Sequence, residues 1–412
     1  MVGWLKVLVS AYACEPGKGS EPGAGWHWVK QIGRFEECWV ITRLNNREGI
    51  EKAISENPMP KVHFVYYDLP PFARFWKKGQ RGVRVYYYLW QLGVYGLARK
   101  LHREIHFDLV HHLTFANYWL PSFLPLLPAP FLWGPVGGGE SAPHSFRKSF
   151  SWRGKWYELL RDAARFIGEL NPIVRMTARR AAAGLAVTPQ TAHRMKALGC
   201  RNVSLSTQTA LSFEDLLLLR GIQPRSESPF RVISIGRFLH WKGFELGIKA
   251  FEEFHRRHPE SEYWLIGDGP EEERWKHLAQ SSNAGKNITF LRTLPRPEVL
   301  EKIAACDVLL HPSLHDSGSW VTVEAMAAGR PVICLDLGGP ALQVTEATGF
   351  KIPAISPEQV VADIAAALEL IRGDSSRCTR LGVAGRERVQ QDFNWEKLGD
   401  QLAVVYSRMV SA

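Results

Sequence analysis

The sequence predicts an α/β protein built from two doubly wound domains. Three observations carry that prediction. The chain has 412 residues, more than one ordinary core organises. Short strand-like runs alternate with helical segments along its whole length. The alternation occurs twice, on either side of a weakly patterned stretch at Thr207–Ser228. Strands that alternate with helical stretches of about 10–15 residues imply βαβ units and parallel sheets.

The first run predicts strands at Leu5–Ala11, Cys38–Thr42, Val62–Tyr67, Leu109–Leu113, Phe131–Trp133 and Leu185–Val187. Helical patterns lie between them, notably at Gly25–Gly33, Val83–Arg103 and Pro172–Ala183. The second run predicts strands at Arg231–Ile235, Tyr263–Ile266, Ile288–Leu291, Val308–His311 and Val332–Leu335. Helices follow, such as Gly243–His258 and Pro297–Cys306, and the tail from Phe393 is helical. The expected domains are 1–206 and 207–392, with a final helix at 393–412.

Composition excludes several classes. Hydrophobic residues make up 45% and charged residues 22%, which is globular rather than disordered. Cys14, Cys38, Cys200, Cys306, Cys334 and Cys378 show no C-x-x-C pair, so neither zinc nor a redox motif is indicated. Several lie in apolar runs, as reduced cysteines do in a cytoplasmic compartment. Met1 leads almost at once into Trp4–Tyr12 without a signal-peptide layout. The most apolar stretch, Tyr118–Val136, is broken by Pro121, Pro125, Pro128, Pro130 and Pro135, so no transmembrane helix is expected.

The net charge is +10, and all of the excess lies in the first 200 residues. Between Asp68 and Glu104 there is no acidic residue. That window holds Arg74, Lys77, Lys78, Arg81, Arg84, Arg99, Lys100 and Arg103 among Phe72, Phe75, Trp76, Tyr86, Tyr87, Tyr88, Trp90 and Tyr95. Basic residues interleaved with aromatics suit an anionic membrane surface, so residues 72–103 are a candidate membrane contact and the chain a candidate peripheral protein of the inner face. The competing reading is a solvated helix whose aromatics are core. No nucleic-acid motif accompanies the patch, and nucleic acid is not an expected partner.

The densest chemistry lies in His311–Pro331, HPSLHDSGSWVTVEAMAAGRP. Asp316 and Glu324 are eight residues apart, separated by the turn Ser317-Gly318-Ser319. Val321, Glu324, Ala325 and Ala328 then follow helical spacing. A loop that opens into a helix N-terminus offers unpaired N–H groups and the positive dipole end to a phosphate. The two carboxylates are placed to grip hydroxyls on either side, a sugar and a ribose. The plainer reading makes Asp316 an N-cap and Glu324 a solvated helix residue.

Other loops fall beyond predicted strand ends, where open parallel sheets bind ligands. Tyr12–Gly25 contains Gly17, Gly19, Gly23 and Gly25, but matches neither G-x-G-x-x-G nor a P-loop. Ile235–Gly243 carries Arg237, able to give a phosphate two parallel hydrogen bonds, and Lys242 at a helix start. Gly267-Asp268-Gly269-Pro270 is a tight structural turn. His111 and His112 end the strand before Thr114 and Asn117; a core histidine is the commoner outcome for such a position.

Together these loops resemble glycosyltransferase family 4, retaining enzymes of the GT-B fold. The resemblance covers nearly the whole chain and is densest from Val232 to Pro353. It rests on Gly236-Arg237 with Lys242-Gly243, then Gly267-Asp268-Gly269, Pro312-Ser313, and an E-x7-E-like segment ending Glu324-Ala325-Met326-Ala327-Ala328-Gly329-Arg330-Pro331-Val332. Phe393-Asn394-Trp395-Glu396 is similar to the family's tail.

The resemblance implies two Rossmann-like domains facing across a cleft, with the last helix crossing back to the first. Arg237 and Lys242 would bind the donor pyrophosphate, with Gly236 beside them, and Glu324 would hold the ribose. Asp316 would face the transferred sugar, and Ser317, Gly318 and Ser319 would offer backbone contacts. Gly19 and Ser20 match the family's Gly-rich loop, and His112 would sit near the sugar. Two departures stand out. Asp316 replaces the family's first Glu, and Ser317-Gly318-Ser319-Trp320 replaces a frequent G-F-G-L.

The implied reaction moves a sugar from a UDP- or GDP-linked donor to a glycan or lipid-linked glycan, with retention and without a metal or other cofactor. No D-x-D lies between strand ends to hold Mg²⁺. Polysaccharide biosynthesis is the implied setting. The alternatives are a synthase of soluble sugars and a non-catalytic nucleotide-sugar binder; a dinucleotide-dependent oxidoreductase is disfavoured by the missing glycine fingerprint.

Overall fold

The computed structural model describes residues 4–77, 82–221 and 229–411. It divides into two compact units. One comprises Met1–Gly139, Asp162–Gln208 and Trp395–Ala412; the other comprises Glu140–Arg161 and Thr209–Asn394. The short segment Glu140–Arg161 thus groups with the second unit although it lies in the first half of the sequence.

The first unit holds a seven-stranded sheet. Its strands are β1 (Lys6–Ala11), β2 (Glu37–Arg43), β3 (Val62–Tyr67), β4 (Leu109–Thr114), β5 (Phe131–Val136), β6 (Ala183–Ala186) and β7 (Val203–Leu205). They run parallel in the order β3-β2-β1-β4-β5-β6-β7. The second unit repeats the plan with β8 (Arg231–Ile235), β9 (Glu262–Ile266), β10 (Ile288–Leu291), β11 (Val308–His311), β12 (Val332–Leu335) and β13 (Gly349–Ile352). Their order is β10-β9-β8-β11-β12-β13, again parallel. In each sheet the order reverses once, between β1 and β4 and between β8 and β11. Chain segments leaving these neighbours diverge, which opens a crevice at their carboxyl ends.

Strands covered on both faces read as unbroken apolar runs, and β11 and β12 are buried at every residue. In the second unit Ile233, Leu309 and Val332 pack on one side, while Val232, Leu310 and Ile333 join Phe251 and Phe254 on the other. The predicted strands coincide with observed ones to within a few residues. Strands β7 and β13 were not predicted, because they are three and four residues long and include exposed or half-exposed polar positions.

The last helix, Trp395–Val410, belongs to the first unit and packs on helix Ser20–Phe35. Trp395 stacks on His27 at 5.1 Å and meets Trp28 edge-on at 5.4 Å. Tyr406 is buried with its hydroxyl 2.6 Å from His111 Nδ1. The six cysteines are free, and all but the half-buried Cys378 are buried.

The basic aromatic window is divided between core and surface. Tyr86, Tyr87 and Trp90 are buried against Tyr12 on the inner face of helix Val83–Ile105. They are core because the sheet needs an apolar cover there. Phe72 and Phe75 are exposed; Lys78, Arg81 and the Arg84 side chain lie outside the described residues. Among the described residues no helix is long and apolar enough to cross a membrane.

Candidate functional site

In the second unit the loops leaving β8 and β11 flank the point where strand order reverses. The first runs through Gly236 and Arg237 to the short turn His240–Lys242. Gly243 then takes φ +68°, and a Cβ there would lie 2.0 Å from the Pro312 carbonyl oxygen. Glycine therefore lets the first loop touch the second, which a side chain would prevent. Leu314 N–H donates to the Trp241 carbonyl at 2.7 Å and closes the contact.

That approach brings Lys242 Nζ to 2.5 Å from Asp316 Oδ2. His311 Nε2 lies 3.3 Å from the same oxygen. Burial alone would push the Asp316 carboxyl up, but Lys242 and His311 overcome it and hold the group well below the usual range. Both neighbours thus favour the ionised carboxylate. Burial pushes His311 down, against the pull of Asp316.

Beyond Asp316, Ser317 Oγ donates to Glu140 Oε2 at 2.7 Å. Ser319 caps helix Trp320–Ala327 by accepting from Thr322 N–H at 3.3 Å. The capping residue is thus Ser319, not Asp316. Glu324, one turn in, is buried rather than solvated. Its Oε1 meets Arg296 at 2.9 Å, and Arg296 also reaches Asp215 at 3.1 Å. Burial raises the Glu324 pKa, with Arg296 opposing. Arg237 is exposed, and among the described residues no ion pair or hydrogen bond engages its side chain.

One support was not foreseen. Glu158, 1% exposed, sits 3.1 Å from both His240 Nε2 and His315 Nε2, with Arg161 at 3.5 Å. Burial would raise its pKa, but the two histidine bonds and Arg161 pull it below the carboxylate range. A carboxylate can only accept, so both rings present Nε2–H to it. Trp241 stacks between Tyr157 and His315, 5.0 Å from each. Glu158 therefore ties the Lys242 loop to the Asp316 loop. It lies more than 80 residues away in sequence, as the 82-residue separation from His240 shows, so no local motif could reveal it. Arg296 has the same character.

The first unit carries the other predicted residues. Gly19 and Ser20 stand exposed at the start of helix Ser20–Phe35, Gly19 as its N-cap and Ser20 with φ +59°. A Cβ on Gly25 would come within 2.2 Å of the Ala13 carbonyl, so glycine seats this helix under the loop. His112 is buried on β4, with Nε2 2.8 Å from the Tyr87 hydroxyl. Burial and neighbouring His111 push its pKa down to about 3, so the ring is neutral.

Residues 218–388 match the family model for Glycosyl transferases group 1. The matched region contains Arg237, Lys242, Asp316 and Glu324. A glycogen synthase of Mycobacterium tuberculosis (strain CDC 1551 / Oshkosh) is 28% identical over 184 residues, 45% of this chain and 44% of that protein. The chain thus spans less than half the length of the curated relatives it matches. Over whole chains, a sucrose-phosphate synthase from Thermosynechococcus elongatus aligns with TM-score 0.69 at 20% identity, covering 99% of each. An Anabaena protein solved with UDP-glucose aligns with TM-score 0.61 at 16% identity, covering 98% of this chain and 100% of that one. These likenesses show the fold: two Rossmann-like parallel-sheet domains of the kind found in GT-B glycosyltransferases.

Replacing Glu158 by Ala should destabilise the second unit by about 3 kcal/mol, because Arg161 loses a carboxylate beside it and two histidines lose an acceptor in a buried site. Denaturant unfolding should show the loss, with Glu158→Gln intermediate. A change below about 0.5 kcal/mol would mean the two loops hold without it.

Proposed function

We propose that this chain is a retaining, metal-independent glycosyltransferase, similar to family 4, which moves a sugar from a UDP- or GDP-linked donor to a glycan or lipid-linked glycan. The observation that carries this reading is the switch-point arrangement of the second unit. Exposed Arg237, Lys242 and the positive dipole end of helix Trp320–Ala327 offer positive charge for a diphosphate. Asp316 and buried Glu324 bracket that helix start with hydroxyl acceptors.

The chemistry follows from the charges. Breaking the sugar–phosphate bond builds negative charge on the leaving diphosphate and positive character on the sugar. Arg237, Lys242 and the helix amides stabilise the first, and the Asp316 carboxylate faces the second. The acceptor hydroxyl attacks on the face the diphosphate leaves, and a diphosphate oxygen takes its proton. This retains the anomeric configuration. Gly236, Ser317, Gly318 and Ser319 shape the donor loops in this proposal.

A second reading concerns where the acceptor resides. Helix Trp152–Leu170 is amphipathic in reverse. Its covered face is Gly154, Glu158, Arg161, Arg165 and Gly168, while Trp152, Trp156, Leu159, Leu160, Phe166 and Ile167 are exposed, Trp152 by 68%. Exposed Arg153 and Lys155 lie beside the tryptophans. Tryptophan, leucine and basic residues on one exposed face fit an anionic lipid surface, with the rings at headgroup depth. The membrane contact proposed for residues 72–103 is better assigned to this helix, at the inner face of the cytoplasmic membrane.

A panel of nucleotide sugars, assayed with chelator present, tests the first reading. One donor should raise the melting temperature and slowly release its nucleoside diphosphate, and Glu324→Gln should weaken that donor roughly tenfold or more. If no nucleotide sugar stabilises the protein, the donor site is wrong. For the second reading, the protein should float with vesicles containing anionic lipid, and Trp156→Ala with Leu160→Ala should abolish flotation. Equal flotation of the variant would remove the helix from the account.

A further inference from the structure

The amino ends of β6 and β7, opposite the carboxyl ends at which parallel sheets bind substrates, hold a separate cavity. It has a volume of about 500 Å³ and is lined by Arg179, Lys196, Gly199, Cys200 and Arg201. Its cations arrive from three places. Arg179 lies in the last turn of helix Pro172–Arg180, Lys196 in the last turn of helix Pro189–Ala197, and Arg201 in the loop that leads into β7. Cys200 is buried, which pushes its thiol up to about 11, so it adds no negative charge.

A cation in the last turn of a helix ordinarily serves that helix, by complementing the dipole and bonding the last carbonyls. Here the carbonyls at the end of helix Pro189–Ala197 are already taken. Leu198 N–H donates to the Arg194 carbonyl at 3.1 Å, Gly199 N–H to that of Lys196 at 2.9 Å and Cys200 N–H to that of Met195 at 3.0 Å. The last two are the paired bonds of a glycine-terminated helix, and Gly199 has φ +106°. Carboxylates do not neutralise the group either. No Asp or Glu occurs between Glu169 and Glu214, and Glu169 pairs with Arg194 at 2.9 Å. Among the described residues no hydrogen bond or ion pair engages the side chain of Arg179, Lys196 or Arg201. Gly199 also seats Arg179 against the turn: a Cβ there would lie 2.7 Å from Arg179 Cγ, so the glycine makes room for the arginine stem. Three cations converging on one concavity repel one another and focus a positive potential on it.

We propose that the cavity formed by Arg179, Lys196 and Arg201 is a second binding site, which takes the phosphate group of a small organic phosphate or of a lipid headgroup. Charge and size select this chemistry. A phosphate monoester carries about −1.5 to −2 at neutral pH and answers two of the three cations, which one carboxylate does not. Arginine forks match phosphate oxygens in pairs, and lysine adds a compact charge. The volume falls in the range of roughly 300–1,000 Å³ found for small-molecule sites, more than a bare phosphate fills. Gly199 and the neutral Cys200 thiol leave uncharged surface for the rest of the ligand. Bound at this end of the sheet, the ligand acts as an effector or an anchor. The site does not rest on the transferase reading.

The test titrates glycerol 3-phosphate and glycerol into the full chain by calorimetry, with saturating UDP present to fill the second unit. Wild type should prefer the phosphate by roughly tenfold or more, the contribution of one charge-assisted hydrogen bond. Arg179→Gln with Arg201→Gln should erase the preference. Arg99→Gln with Lys100→Gln, which removes two exposed cations of helix Val83–Ile105, should keep it. The cavity variant loses no protein partner, so an unchanged melting temperature checks that it folds. A parallel arm floats the protein with phosphatidylcholine vesicles with and without phosphatidic acid. Flotation that needs phosphatidic acid and is lost in the cavity variant would support the site and put the phosphate on a lipid. A preference for glycerol 3-phosphate that the variant loses, without such flotation, would support it and make the ligand a soluble metabolite. If neither probe shows binding that depends on Arg179 and Arg201, or if the Arg99 and Lys100 variant loses as much, the site is overturned. Failure of UDP to bind would count against the donor site alone and leave the phosphate result standing.

Discussion

The ion pair between Lys242 and Asp316 is the constraint on which the second unit's site depends. It joins two loops that leave adjacent strands at the point where strand order reverses, and it does so in a mostly buried setting. Such a pair needs its geometry enforced, because desolvating two charges opposes their attraction. The enforcement is visible on all sides. Gly243 removes the side chain that would hold the loops apart, Trp241 stacks on His315, and Glu158 grips a histidine from each loop.

The same pair poses a chemical problem that the proposed reaction must solve. Lys242 has one compact charge and is already matched by Asp316. An incoming diphosphate competes with that carboxylate for the ammonium while also feeling its repulsion. Arg237, exposed and without an ion pair among the described residues, and the helix amides are the groups that can attract the diphosphate at the outset. In the proposed reaction, as charge builds on the leaving group, Lys242 would shift its interaction from Asp316 to phosphate, and Asp316 would be released towards the sugar's positive character. An interaction that strengthens only as the bond breaks is the kind that accelerates a reaction.

Much of this was legible in the sequence, for identifiable reasons. Fully buried strands such as Val308–His311 and Val332–Leu335 announce themselves as apolar runs between turns. The glycines and cations of the Arg237–Gly243 loop, and the Asp316–Glu324 spacing, are local and survive as motifs. Contacts made across the fold do not. Glu158 and Arg296 reach partners dozens of residues away, and nothing in their neighbourhoods marks them. The aromatic window at 72–103 left two readings open for a different reason. Periodicity cannot tell a core face from a lipid-facing one, and burial assigned Tyr86, Tyr87 and Trp90 to the core. Helix Trp152–Leu170 shows the converse, an apolar face turned outward because its polar face carries the loop supports.

The central claim is that Asp316 holds Lys242 in competition with the donor's diphosphate. The direct measurement is calorimetric affinity for nucleoside diphosphates in wild type and Asp316→Asn, which keeps the side-chain shape but removes the charge. The account predicts tighter binding in the variant, by roughly fivefold for about 1 kcal/mol of relieved competition, together with slower sugar transfer. Unchanged or weaker diphosphate binding in a folded Asp316→Asn protein would contradict it.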